Sequence, residues 1–176
     1  MNPDASRTLL DQADELGFEA RADRRDHAAL KLWLRMLACT TQIEDQIRRR
    51  LRERFGISLA RFDYLAQLHR RPDGLKMGEL SRCLMVTGAN VTGLTDELER
   101  EGLVQRELSA TDRRAWIVRL TDSGRTGFEA MAQEHEDWVL ELFAGLDKPA
   151  LQQLYDQLGA LRVHMVRQQD AAKEKR

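Results

Sequence analysis

"VTGANVTGLTDELEREGL", Val86 to Leu103, reads as a short helix with one large side and one small side. Thr87 stands where a cap is needed, Val91, Leu94 and Leu98 recur at helical spacing, and Gly102 ends the run. The opposite face carries Ala89, Gly93, Asp96 and Arg100, flanked by Asn90 and Thr92. A glycine inside a helix costs about 1 kcal/mol relative to alanine, so Gly88 and Gly93 need a reason. One reason is close packing against another helix. The other is entry into a DNA major groove about 12 Å wide, where small residues let the helix axis approach the base edges. On that reading Asn90 is placed for a bidentate contact to adenine. Thr87 or Thr92 would offer a methyl group to thymine or a hydroxyl to phosphate, and the unpaired N–H groups of the first turn suit a phosphate.

The flanking segments favour the groove. "KMGELSRCL", residues 76–84, reads as a preceding short helix, with "MV" as the turn between the two. "LVQREL" and "AWIVRL" follow as strand-like runs separated by the polar "SATDRR", residues 109–114. Helix, turn, helix and hairpin in this order predict a winged helix-turn-helix. The recognition stretch has no cation before Arg100, so the positive charge is expected from the hairpin tip. There Arg113 and Arg114 would reach the minor groove or the backbone, with Asp112 orienting an arginine.

Farther out, residues 27–54 contain no Gly or Pro and space Leu30, Trp33, Leu34, Leu37, Ile47 and Leu51 as one long amphipathic helix, closed by Gly56. Ser58 is the expected cap of the next helix, which "RPDG", residues 71–74, ends as a turn. Thr121 is the expected cap of a long helix to about Phe143, and Pro149 marks the first turn of a last one. The fold class predicted is mainly α with a small β-hairpin. Residues 1–26 read as a mobile arm, 58–121 as the winged helix-turn-helix, and 169–176 as a solvated tail.

The 176-residue chain has a net charge of −1, which by itself gives no hint of nucleic acid. Its distribution does: residues 48–71 hold eight arginines against Glu53 and Asp63. Both ends are acidic, with seven acids against four bases in residues 1–26 and ten against seven in residues 122–176. The arginine run also fits a solvated helix end favoured by the helix dipole. No apolar run approaches the roughly 18 residues of a membrane span, and the N-terminus lacks a signal-peptide core, so a cytoplasmic location is expected. Cys39 and Cys83 are far apart and are expected to be buried structural thiols. His27, His69, His135 and His164 have no metal-ligand spacing, and no metal or cofactor is expected. GxSxG, GxxxxGK[ST] and HExxH motifs are absent, which argues against an enzyme.

The segment "MGELSRCLMVTGANVTGLTDELEREGLVQRELSATDRRAWIVRLTDSG" resembles the DNA-binding core of the MarR family of bacterial transcription regulators, including the D-R of the wing and the V-x-L-T-x-x-G that follows it. The resemblance extends over residues 27–168. It implies a homodimer joined by helices from residues 27–57 and 122–168, with two recognition helices on a palindromic double-stranded operator. Half-sites about 34–36 Å apart would follow. It also implies a repressor that a small ligand releases.

"LWLRMLACT" and "RFDYLAQL" resemble the branch of that family responding to aromatic acids or their coenzyme A thioesters. Trp33, Leu37, Phe62 and Leu65 are the candidates to wall an apolar slot for such an effector, with Arg35 or another arginine from residues 48–61 to meet its carboxylate or phosphates. Trp33 and Phe62 equally suit a plain core. Two other readings stay open: a thiol-based redox sensor using Cys39, and a winged-helix protein-interaction adaptor.

Overall fold

The computed structural model describes residues 28–84, 88–108 and 115–174. Contacts divide the chain into two compact units, Met1–Ala132 and Gln133–Arg176.

The first unit opens with α1, Ala28–Phe55, a helix free of Gly and Pro. Gly56 ends it with φ +68°, and its N–H donates to the Arg52 carbonyl at 3.1 Å. The side chain of Ser58 caps α2, Leu59–His69, by accepting from the Arg61 N–H at 3.3 Å. The turn that follows is closed by the Gly74 N–H donating to the Arg71 carbonyl at 2.8 Å. Gly74 has φ +83°, and a Cβ there would lie 2.6 Å from the Val118 carbonyl oxygen, so only glycine fits.

Next come β1, Leu75–Lys76, and α3, Met77–Leu84. The Glu79 carboxylate reaches back to accept the Lys76 N–H at 2.9 Å and so secures the start of α3. Then follow α4, Gly88–Arg100, β2, Val104–Leu108, and β3, Trp116–Leu120. The strands form an antiparallel sheet of order β1-β3-β2, in register Leu75↔Val118, Val104↔Leu120 and Leu108↔Trp116. A hairpin was expected, and the sheet has a third strand. Two residues are too few to show a period of two, and β1 exists only because the Gly74 turn lays them beside β3.

The core of this unit gathers Leu51 from α1, Phe62, Leu65 and Leu68 from α2, and Leu80 from α3. Val91 and Leu98 of α4 join them, with Val104 and Val118 from the sheet and Phe128 and Met131 from α5, Asp122–Phe143. The Phe62 and Phe128 rings lie 5.4 Å apart, and the His69 ring stands 4.9 Å from Phe128. The Thr121 hydroxyl caps α5 by accepting from the Gly124 N–H at 3.0 Å. Gly124 presses so closely on the loop between α4 and β2 that a Cβ would lie 1.9 Å from the Leu103 carbonyl oxygen.

The first half of α1 is uncovered. Its apolar stripe is buried only at Ile47 and Leu51, while Leu30 and Trp33 are exposed.

In the second unit, α6 runs from Lys148 to Glu174, with the Asp147 carboxylate accepting the Ala150 N–H at 2.8 Å. The helix continues through residues 169–174, where a solvated tail was expected. Those side chains up to Lys173 are exposed, and Asp170 pairs with Lys173 at 3.4 Å one turn on, so the segment is both helical and solvated. No described residue of α6 is buried. An apolar groove of about 670 Å³ between it and the end of α5 is walled by Val139, Phe143, Leu151, Leu154 and Leu158. Among the described residues no helix is long and apolar enough to cross a membrane.

Candidate nucleic-acid interface

The outer face of α4 is open. Gly88, Ala89, Asn90, Thr92 and Gly93 are all exposed. A Cβ placed on Gly88 or Gly93 would meet nothing within 4 Å. Packing against a neighbouring helix among the described residues therefore does not explain either glycine. The Thr92 hydroxyl donates to the Gly88 carbonyl at 3.1 Å, inside the helix's first turn. Thr87, Arg113 and Arg114, the other three candidates for DNA contact, lie outside the described residues.

The inner face departs from the expected stripe. Val91 and Leu98 are buried and Leu94 is only half-buried, while Thr95 is fully buried at 0% exposure. A polar core residue has to be satisfied, and this one is. The Thr95 hydroxyl donates to the Val91 carbonyl at 2.6 Å, which leaves its oxygen to accept from the Tyr64 hydroxyl of α2, also at 2.6 Å. Burial pushes the Tyr64 phenol up to about 12, beyond what its hydrogen bond to Thr95 offsets. The pair fixes the rotation of α4 about its axis, and hence which residues face outward.

A second clamp joins α4 to the wing. Arg106 of β2 donates from Nε to the Glu99 carboxylate at 2.9 Å, and from a terminal nitrogen to Asp96 at 2.7 Å. Its other terminal nitrogen pairs with Glu99, and its backbone N–H donates to Glu99 at 3.1 Å. These hydrogen bonds hold the Glu99 carboxyl below the usual carboxylate range and raise the Arg106 guanidinium. Asp96, read from the sequence as part of the outward face, is therefore half-buried against the wing. Arg61 makes a third tie, from the start of α2 to Glu101 at the end of α4. Tyr64, Thr95, Glu99 and Arg106 were missed by sequence reasoning. The available signals were the i+4 spacing of Thr95 from Val91 and an arginine in the strand directly after an acidic helix end.

The five effector candidates are spread between core and surface. Phe62 and Leu65 are core residues at 6% and 1% exposure, whereas Trp33, at 56%, and Arg35 are exposed on α1. Leu37 is half-buried. The Phe62 ring packs against that of Phe128 in the core. The expectation of buried thiols is also corrected. Cys39 and Cys83 are both exposed, because the core contacts of their helices are made by Ile47 and Leu51 on α1 and by Leu80 on α3.

Two short helices, the second with an open outer face and clamped to a three-stranded wing, define a winged helix-turn-helix protein. A sequence model of the MarR family matches residues 55–115. A MarR family transcriptional regulator from Silicibacter pomeroyi has a crystal structure with TM-score 0.68 and 33% identity, covering 82% of this chain and 99% of that one. The chain belongs to the MarR family. The transcriptional activatory protein BadR of Rhodopseudomonas palustris is 33% identical over 114 residues, 64% of this chain. The match spans 65% of BadR, just under two thirds of its length. The S. aureus MepR–DNA complex has a TM-score of 0.64 and 25% identity, covering 80% of this chain and 99% of that one.

Proposed function

We infer that this chain is a homodimeric, sequence-specific DNA-binding transcription regulator. The observation that carries this is the outer face of α4, where Gly88 and Gly93 have open space in place of a packing partner. Thr87, Gly88, Ala89, Asn90 and Thr92 enter the major groove, and Arg113 and Arg114 of the wing contact the adjacent minor groove or backbone. Residues 58–121 form the DNA-binding part. Residues 27–57 and 122–168 supply the dimer contacts, in keeping with the uncovered apolar stripes of α1 and α6.

Binding across a promoter represses transcription by occlusion, and an effector releases it. BadR bears the name of an activatory protein, so the sign of regulation is to be read from in vitro transcription with the purified dimer. The effector we assign is an aromatic acid or its coenzyme A thioester. The support is the sequence resemblance of α1 and α2 to that branch, together with the exposed Trp33 and Arg35 on α1. Phe62 and Leu65 would form the inner wall of the site, with Leu37 beside them, and a second copy would complete it.

The test is an anisotropy titration on DNA from upstream of the chain's own gene, over a range of salt, with a panel of aromatic acids and thioesters. Affinity should fall steeply with salt. Replacing Arg113 and Arg114 by Ala should weaken binding at least tenfold, leaving melting temperature and dimer mass unchanged. Salt-insensitive association, or full binding by the double variant, would sink the reading and favour the adaptor. Binding that no compound relieves would remove the effector alone, and oxidation of Cys39 would be tried next.

A further inference from the structure

Several arginines are paired with carboxylates, among them Arg48 with Asp45, Arg61 with Glu101, Arg106 with Glu99 and Asp96, and Arg119 with Glu107. Arg70, Arg71 and Arg82 differ. They line one open pocket of about 720 Å³ between the α2–β1 turn and the outer face of α3, and no described carboxylate pairs with any of them. Asp73 and Glu79 share the wall, so the lining has three guanidiniums against two carboxylates. One Glu79 oxygen is already engaged by the Lys76 N–H at 2.9 Å. The turn on one side of the pocket packs directly on β3 at Gly74, a position only glycine fits.

The two carboxylates leave an excess of positive charge on the wall, and an anion that enters the pocket offsets it. Guanidinium groups present planar pairs of N–H donors that match the oxygens of a phosphate. We propose that this pocket is a phosphate-binding site, with Arg70, Arg71 and Arg82 as its donors. Two sources supply that chemistry. One is the DNA backbone flanking the recognition helix, since the first helix of a helix-turn-helix crosses the phosphate chain; this source rests on the DNA-binding reading above. The other is a free phosphorylated small molecule, which does not.

Cys83 lies on the same wall and reports occupancy. The experiment uses the full-length chain carrying Cys39→Ser, with the rate of Cys83 alkylation by N-ethylmaleimide followed at constant ionic strength. Inorganic pyrophosphate should slow alkylation at least threefold relative to chloride, and the Arg70→Ala/Arg71→Ala/Arg82→Ala variant should lose this protection. In parallel, binding to a random-sequence duplex is measured against salt, where each lost phosphate contact lowers the slope of log K against log salt by about 0.9. A slope reduced by about two to three per pocket in the triple variant, with Arg82→Lys largely retaining it, assigns the site to the DNA backbone. Protection by pyrophosphate with an unchanged slope assigns it to a free phosphorylated ligand. Neither protection nor a slope change, in a variant of unchanged melting temperature, overturns the proposal. Failure of the parent protein to bind duplex at low salt would overturn the DNA-binding reading, and the pyrophosphate arm would still decide the pocket.

Discussion

Thr95 is a threonine in a position that sequence periodicity reserves for leucine. It is tolerated because the hydroxyl is satisfied on both sides, by the Val91 carbonyl and by Tyr64. Tyr64→Phe removes one buried hydrogen bond and leaves Thr95 its bond to Val91, so a loss of about 1 kcal/mol is expected at neutral pH. The pH dependence has a definite sign. With the phenol raised from 10.0 to about 12, its contribution to stability is complete below pH 10 and is lost as pH rises from 10 to 12. The gap in denaturant midpoint between the parent protein and Tyr64→Phe should therefore narrow across that window. A gap constant from pH 8 to 12 would mean that Tyr64 ionises freely and is not held as described.

At the scale of an element, α4 gives up helix stability to keep its outer face small. Gly93→Ala is sterically free among the described residues, since its Cβ meets none of them within 4 Å. The substitution should stabilise the helix by about 1 kcal/mol and raise the melting temperature by about 2–4 °C. The same methyl group would stand between the helix and the floor of a groove, so DNA affinity should drop about tenfold, or ~1.4 kcal/mol. Stability and binding moving in opposite directions is the signature of a residue kept for an interface. A variant that is more stable and binds equally well would remove Gly93 from the contact surface. The clamp of Arg106 on Asp96 and Glu99 belongs to this scale as well, because it makes α4 and the wing one body.

The whole molecule is under-buried as a single chain. No described residue of α6 is buried, and Leu151, Leu154, Leu158, Val163, Met165 and Val166 are exposed along it. An apolar helix face of this kind marks an interaction surface, and a second copy is the partner proposed here. Dimerisation predicts a melting temperature that rises with protein concentration and a dimer mass at sedimentation equilibrium. Leu154→Arg with Leu158→Arg, on the wall of the apolar groove, should give a monomer of lower melting temperature that no longer binds operator DNA tightly. A parent protein of monomeric mass with concentration-independent melting would contradict the homodimer.

Periodicity, caps and turn chemistry in the sequence determined the order of the helices and of the two hairpin strands, the capping roles of Ser58 and Thr121, and the smallness of the outward face of α4. These are legible because each depends on residues a few positions apart. The tertiary structure alone decided what depends on distant partners. Residues 75–76 become a strand because Gly74 delivers them to β3, and Thr95 is core because Tyr64, 31 positions away, meets it. Asp96 turns from the outer face to the wing because Arg106 holds it, and Phe62 is core because Phe128 packs against its ring. Local periodicity specifies which side of a helix is apolar, but only the packed chain specifies what meets it.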